Sequence, residues 1–147
     1  MLNNTVYLDN CCFNRPYDDQ SQPLIKLETE AKIIIQQEII NGNLDLVWSF
    51  ILYYENYDNP YDDRKNQIAL WESIAKKIVV YNNNILTRAK HIMELNISAK
   101  DALHISCALY ADAGFFITTD KKLLLKIING IIITDPINFL RRYYNDD

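Results

Sequence analysis

Glycine is scarce: Gly42, Gly114 and Gly130 are the only three in 147 residues. Three isolated glycines exclude a Gly-rich phosphate loop, a dinucleotide fingerprint and a G-x-S-x-G nucleophile turn. With only four prolines beside them, an all-β fold built on tight turns has little support. Cysteine is scarce and odd in number, three with Cys11 and Cys12 adjacent. No disulfide framework is expected, and a reducing, cytoplasmic setting is. No apolar run exceeds five residues, against the ~20 that a membrane-crossing helix requires. The opening MLNNTVYLDN has neither the basic start nor the apolar stretch of a signal peptide. Positive charge is not in excess either, with 15 Lys and Arg against 19 Asp and Glu and a net charge of −4. That balance argues against a protein that coats DNA or a membrane surface through bulk charge. It leaves open a nucleic acid held at one local site.

What is present is an ordinary globular composition, 49% hydrophobic and 23% charged, in a length that fits a single domain over residues 1–147. Short β-branched and aromatic runs predict strands at 5–8, 44–48, 78–81, 115–118 and 131–134. Three- and four-residue apolar spacing predicts a helix over 24–40, with Asn41-Gly42 as its stop. Further helices are predicted from Ser49 to about Asn56, over 63–77, from the Asn82–Asn84 break to about Leu95, from Ser98 to Ala113, over 121–128, and from Pro136 onward. The stretch 14–23 reads as polar and turn-rich. Near-continuous apolar strands alternating with helices indicate a mainly parallel sheet covered on both faces. The expected architecture is a three-layer α/β/α sandwich with five strands.

Ligands of open parallel sheets bind beyond the carboxyl ends of the strands, and four acids are placed for that edge. Asp9 follows the first strand and Asp120 the fourth; Glu55 lies in the helix after the second, and Asp101 in the first turn of the helix before the fourth. Each also has a plainer role. Asp9-Asn10 suits a turn, Glu55 a solvated helix face, Asp101 a capping box with Ser98, and Asp120 a helix N-cap. Together at one edge they would repel one another without a cation, and hard oxygen ligands favour Mg²⁺ or Mn²⁺. His104 and Cys107 suggest a zinc pair by spacing, but their apolar helix makes them core residues. Tyr53, Tyr54, Tyr57 and Tyr61 suit a core or a subunit interface, or stacking on unpaired bases.

The segments VYLDNC (6–11), Ser49 to Glu55, KDALHISCAL (100–109) and FFITTDKKLL (115–124) resemble, in order, the motif series of PIN-domain proteins. NRPYDDQ (14–20) resembles one bacterial and archaeal subgroup of them. The resemblance spans nearly the whole chain. It implies strand order 3-2-1-4-5 and a metal-dependent ribonuclease, many members being toxins of toxin–antitoxin pairs. It maps the family's acids onto Asp9, Glu55, Asp101 and Asp120, with Glu38 and Asp58 as the alternatives to Glu55. One or two Mg²⁺ or Mn²⁺ ions on Asp9, Asp101 and Asp120 would bind the scissile phosphate and acidify a water, with Glu55 completing the shell. Asn10 and Thr119, beside the acids, and Arg15, Lys100, Lys121 and Lys122, flanking the edge, are candidates for RNA phosphate contacts. The implied partners are an RNA substrate, a cognate antitoxin and a second copy of the chain. The competing reading is a non-catalytic binding module on the same fold. A phosphatase lacks its Asp-x-Asp pair here, and a receiver-like domain finds Asn82–Asn84 where it needs an acid.

Overall fold

The computed structural model describes residues 3–145. Five strands form one all-parallel sheet in the order β3-β2-β1-β4-β5, as expected. They are β1 (Thr5–Leu8), β2 (Asp45–Ser49), β3 (Lys77–Val79), β4 (Phe115–Ile117) and β5 (Ile132–Thr134). The helices are α1 (Asn10–Asn14), α2 (Pro23–Ile40), α3 (Phe50–Tyr57), α4 (Asp62–Ile74), α5 (Asn83–Met93), α6 (Ala99–Tyr110), α7 (Lys121–Leu124) and α8 (Pro136–Asn145). Pro136 opens α8, the position where a missing N–H is harmless. Gly42, with φ of +82°, follows the end of α2, where the left-handed region would strain a side chain.

β1 lies at the centre and is buried at every residue. Consecutive strand residues face opposite sides, and their partners identify the layers. Tyr7 meets His104 of α6 and stacks on Phe116. Phe115, which pairs with Val6 on the other side, packs edge-on against Phe139 of α8. α5 and α6 therefore cover one face, α2 and α8 the other. Trp48 of β2, paired with Ile78 of β3, receives the ring of Phe13 from α1 edge-on. The chain runs outward from β1 to β3 on one side, then returns to β4 on the other. This reversal between β1 and β4 places a crevice at their carboxyl ends.

The structure moves several boundaries. The turn expected after β1 is instead α1, started by the Asp9 side chain and anchored by buried Cys12 and Phe13, followed by a 3₁₀ turn at Arg15–Tyr17. The helix expected over 63–77 stops at Ile74, where Ala75 turns extended and leads into β3. The helix expected over 121–128 is a single turn, because Leu125 and Ile127 point to solvent and Ile128 bridges back to Ile131. Among the described residues no helix is long and apolar enough to cross a membrane.

Candidate metal centre

The crevice is built from Asp9 outward. Its backbone N–H donates to Ile117 O at 2.9 Å, extending the β1–β4 ladder by one residue and fixing the side chain at the sheet edge. Oδ1 accepts from Asn10 N at 2.8 Å, and Oδ2 accepts from Thr118 Oγ1 at 2.8 Å. Asp9 is thus buried among neutral donors, and the one ion-pair contact it makes among the described residues is with His104, whose Nε2 lies 3.9 Å from Oδ1.

Glu55 comes to the same point from α3. Ser49 starts that helix by accepting from Leu52 N, so Glu55 stands two turns in and reaches back over the crevice. Its Oε1 lies against His104 Nε2, its Oε2 accepts from Asn10 Nδ2 at 3.5 Å, and Lys100 Nζ stands 4.0 Å from Oε2. Of the three acids considered for this role, Glu38 accepts instead from Tyr143 at the far end of α2, and exposed Asp58 lines a neighbouring cavity. One ligand atom each from Asp9, Glu55 and His104 lie within 4.8 Å of one another.

His104 is buried, as its apolar helix predicts, but burial does not remove it from the site. Nδ1 lies 2.6 Å from the Tyr7 hydroxyl, which lies 2.6 Å from Ser49 Oγ. Hydroxyls donate or accept, so this chain supports either imidazole tautomer. With Tyr7 donating to Nδ1, Nε2–H donates to Glu55. With Nδ1–H donating to Tyr7, the Nε2 lone pair is free for a cation. Burial first, then Cys107 and the site carboxylates, pushes the Tyr7 phenol well above its ordinary range and keeps it neutral.

Asp101 and Asp120 fall outside that 4.8 Å group and share an adjoining cavity of about 560 Å³ with Ser98, Lys122 and Lys126. Burial, then the charges of Asp9 and Asp120, raises the Asp101 carboxyl above the usual aspartate range, against the lowering effect of Ser98 and His104. Asp101 thus feels both neighbours across the crevice. Ser98 caps α6 by accepting from Asp101 N. Asp120 caps α7, its Oδ1 accepting from Lys122 N and Leu123 N. The helix-capping roles read from the sequence at Ser98 and Asp120 are therefore present.

The predicted substrate contacts differ in availability. Asn10 borders Glu55. Thr119 donates its backbone N–H to Cys11 Sγ at 3.3 Å. Arg15 is bound to Glu28 at 2.8 Å and Asp18 at 3.0 Å. Thr118, which sequence reading passed over for Thr119, is the residue that grips Asp9 and also accepts from Asp120 N at 3.1 Å. Alternation along β4 was the signal for it: the hydroxyl at 118, immediately after the apolar run, turns inward. All three cysteines are free.

Two carboxylates and an imidazole at this spacing suit a divalent cation, carboxylate oxygens accommodating Mg²⁺ or Mn²⁺ and the imidazole adding borderline character. No protein-family model and no curated protein matches the sequence. Among solved structures, a chain of VapBC2 from Rickettsia felis, crystallised bound to a DNA fragment from their promoter, aligns over 89% of this chain and 98% of its own. The TM-score is 0.57 and the identity 16%. The five-stranded 3-2-1-4-5 sheet and this alignment together show that the chain has a PIN-like three-layer α/β/α fold, shared with that chain of VapBC2.

Proposed function

We propose that the protein is a divalent-metal-dependent endoribonuclease acting as the toxin of a toxin–antitoxin pair. The observation that carries this reading is the convergence of Asp9, Glu55 and His104 from β1, α3 and α6 on one point at the crevice. A bound Mg²⁺ or Mn²⁺ ion supplies positive charge that acidifies a water and neutralises phosphate oxygens. Asp9 and Glu55 would hold it with His104, while Asp101 and Asp120 complete the acidic set from the adjoining cavity. The Asp101 carboxyl, more basic than an ordinary aspartate, is suited to take a proton from an attacking water. Asn10 and Thr119 would orient the scissile phosphate from either side of Asp9. Arg15 would reach RNA only by leaving one of its two carboxylates.

The likeness to a VapBC complex supports a cognate antitoxin as partner. The exposed rings of Tyr53, Tyr54 and Tyr57 on α3 are the surface proposed for pairing with a second copy. A cytoplasmic location belongs to the same reading. Incubation of single-stranded RNA with the purified protein should give cleavage in Mg²⁺ or Mn²⁺ and none in EDTA, and Asp9→Asn should lower the rate by about 100-fold or more. A binding module on the same fold would show no cleavage under any metal and no dependence on Asp9.

A further inference from the structure

A second cavity, about 300 Å³, opens beside the metal centre and is bordered by Glu55 itself. Arg64, in the first turn of α4, also lines it. The Arg64 guanidinium carbon lies 3.9 Å from the ring centroid of Tyr61 and 5.0 Å from that of Tyr17. Two aromatic rings from separate segments therefore fix the guanidinium. Arg15, by comparison, is occupied by Asp18 and Glu28. Among the described residues Arg64 makes no ion pair, although Asp58 lines the same cavity and Asp62 and Asp63 precede it in α4. A guanidinium held by its faces keeps its N–H edges for a planar, bidentate oxyanion.

The lining also carries the carboxamides of Asn10, Asn14 and Asn59. Asn14 Nδ2 donates to Asn10 O at 3.1 Å and to Asn10 Oδ1 at 3.3 Å, and Asn59 Nδ2 donates to Asn14 Oδ1 at 3.5 Å. These bonds still leave the second N–H of Asn59 Nδ2 and a further lone pair on each of Asn10 Oδ1 and Asn14 Oδ1 for a base edge or ribose hydroxyl. We propose that this cavity is a nucleotide subsite, with Arg64 on the phosphate of the RNA residue next to the scissile bond and the asparagines on its base or sugar. The inference rests on the ribonuclease reading. RNA fits better than an acidic protein segment, because the cavity shares Glu55 with the metal centre and is bordered by its neighbour Asn10, and an acidic side chain alone would leave the asparagines unmatched.

Steady-state cleavage of a single-stranded oligoribonucleotide with Mn²⁺, set beside anisotropy binding in the Asp9→Asn background, tests it. Arg64→Gln should raise KM about tenfold, the loss of one charge-assisted contact, with a smaller change in kcat. The dependence of log affinity on log salt should fall by about one unit of slope. Arg64→Lys should lie between wild type and Arg64→Gln, since it keeps the charge and loses the fork. Melting curves of each variant separate these effects from misfolding. A wild type that cleaves RNA beside an Arg64→Gln variant with unchanged KM and salt slope would overturn the subsite alone and hand Arg64 to an acidic protein segment. A wild type that cleaves no RNA with any divalent ion would overturn the ribonuclease reading, and the subsite with it.

Discussion

At His104 the two ring nitrogens meet different surroundings, Nδ1 the Tyr7 hydroxyl inside the core and Nε2 the carboxylates at the sheet edge. A lone histidine on an apolar helix gives no sign of this, because the partner that orients it is 97 residues away in β1. Asp9 and Asp120 directly follow strands and Asp101 starts a helix, positions that chain order sends toward the carboxyl edge, whereas Glu55 stands inside α3. Tyr7→Phe should leave Nδ1 without its partner and weaken Mn²⁺ binding about 10–100-fold, measured by calorimetric titration; unchanged affinity would remove Tyr7 from the metal centre. Lys32 presents a different residue-level problem. It is buried in α2 without an ion pair among the described residues, and burial lowers its amine from 10.5 to about 8, despite an opposing effect of Cys12. Between pH about 8 and 10.5 the unfolded chain holds a proton that the folded one has released, so stability should rise with pH across that window. Lys32→Met should flatten the rise and stabilise the fold at pH 7 by about 1–3 kcal/mol, read from urea melts at several pH values. A variant no more stable than wild type at pH 7 would show that the lysine is solvated.

Elements differ in how much of their length the sequence determines locally. β1, β2 and β4 were readable because parallel strands buried on both faces must be largely apolar, and β3 and β5, more exposed at the sheet edges, because their runs are β-branched. Helix starts were readable where a hydroxyl or carboxylate caps them, as at Ser49, Ser98 and Asp120. Helix ends were harder. Residues 121–128 have helical apolar spacing, but Leu125 is 84% and Ile127 93% exposed, so the pattern matches no buried face and the helix stops after one turn. α1 was missed because its only start signal, Asp9, also serves the site. Ser49 joins the two levels, since one oxygen caps α3 and touches Tyr7. Ser49→Ala should therefore cost about 1–3 kcal/mol, the loss of a cap together with a buried hydroxyl's partner. Urea denaturation should show a lower midpoint at constant slope. A cost below about 0.5 kcal/mol would mean that Tyr7 and α3 find other partners.

Across the whole molecule, the net charge of −4 takes on a particular distribution. Without Asp9, Glu55, Asp101 and Asp120, acidic and basic residues balance at 15 each. The excess thus equals the charge of the four acids proposed for the crevice, where the carboxylates already perturb one another: Asp9 and Asp120 help to raise Asp101. An RNA phosphate approaching that edge meets repulsion unless a cation is there, and the remainder of the surface has no net positive charge to offset it. Two unit charges about 4 Å apart in water interact by about 1 kcal/mol, so removing one acid should matter measurably to a polyanion. In EDTA, Asp120→Asn should bind single-stranded RNA roughly fivefold more tightly than wild type, and the advantage should shrink as salt rises and the Debye length falls below about 10 Å. Adding Mn²⁺ should reverse the order, because wild type gains a bridging cation that the variant holds less well. Fluorescence anisotropy over a salt series, with and without Mn²⁺, measures both arms. If wild type and Asp120→Asn bind RNA equally in EDTA at low salt, the crevice is not where the RNA lies.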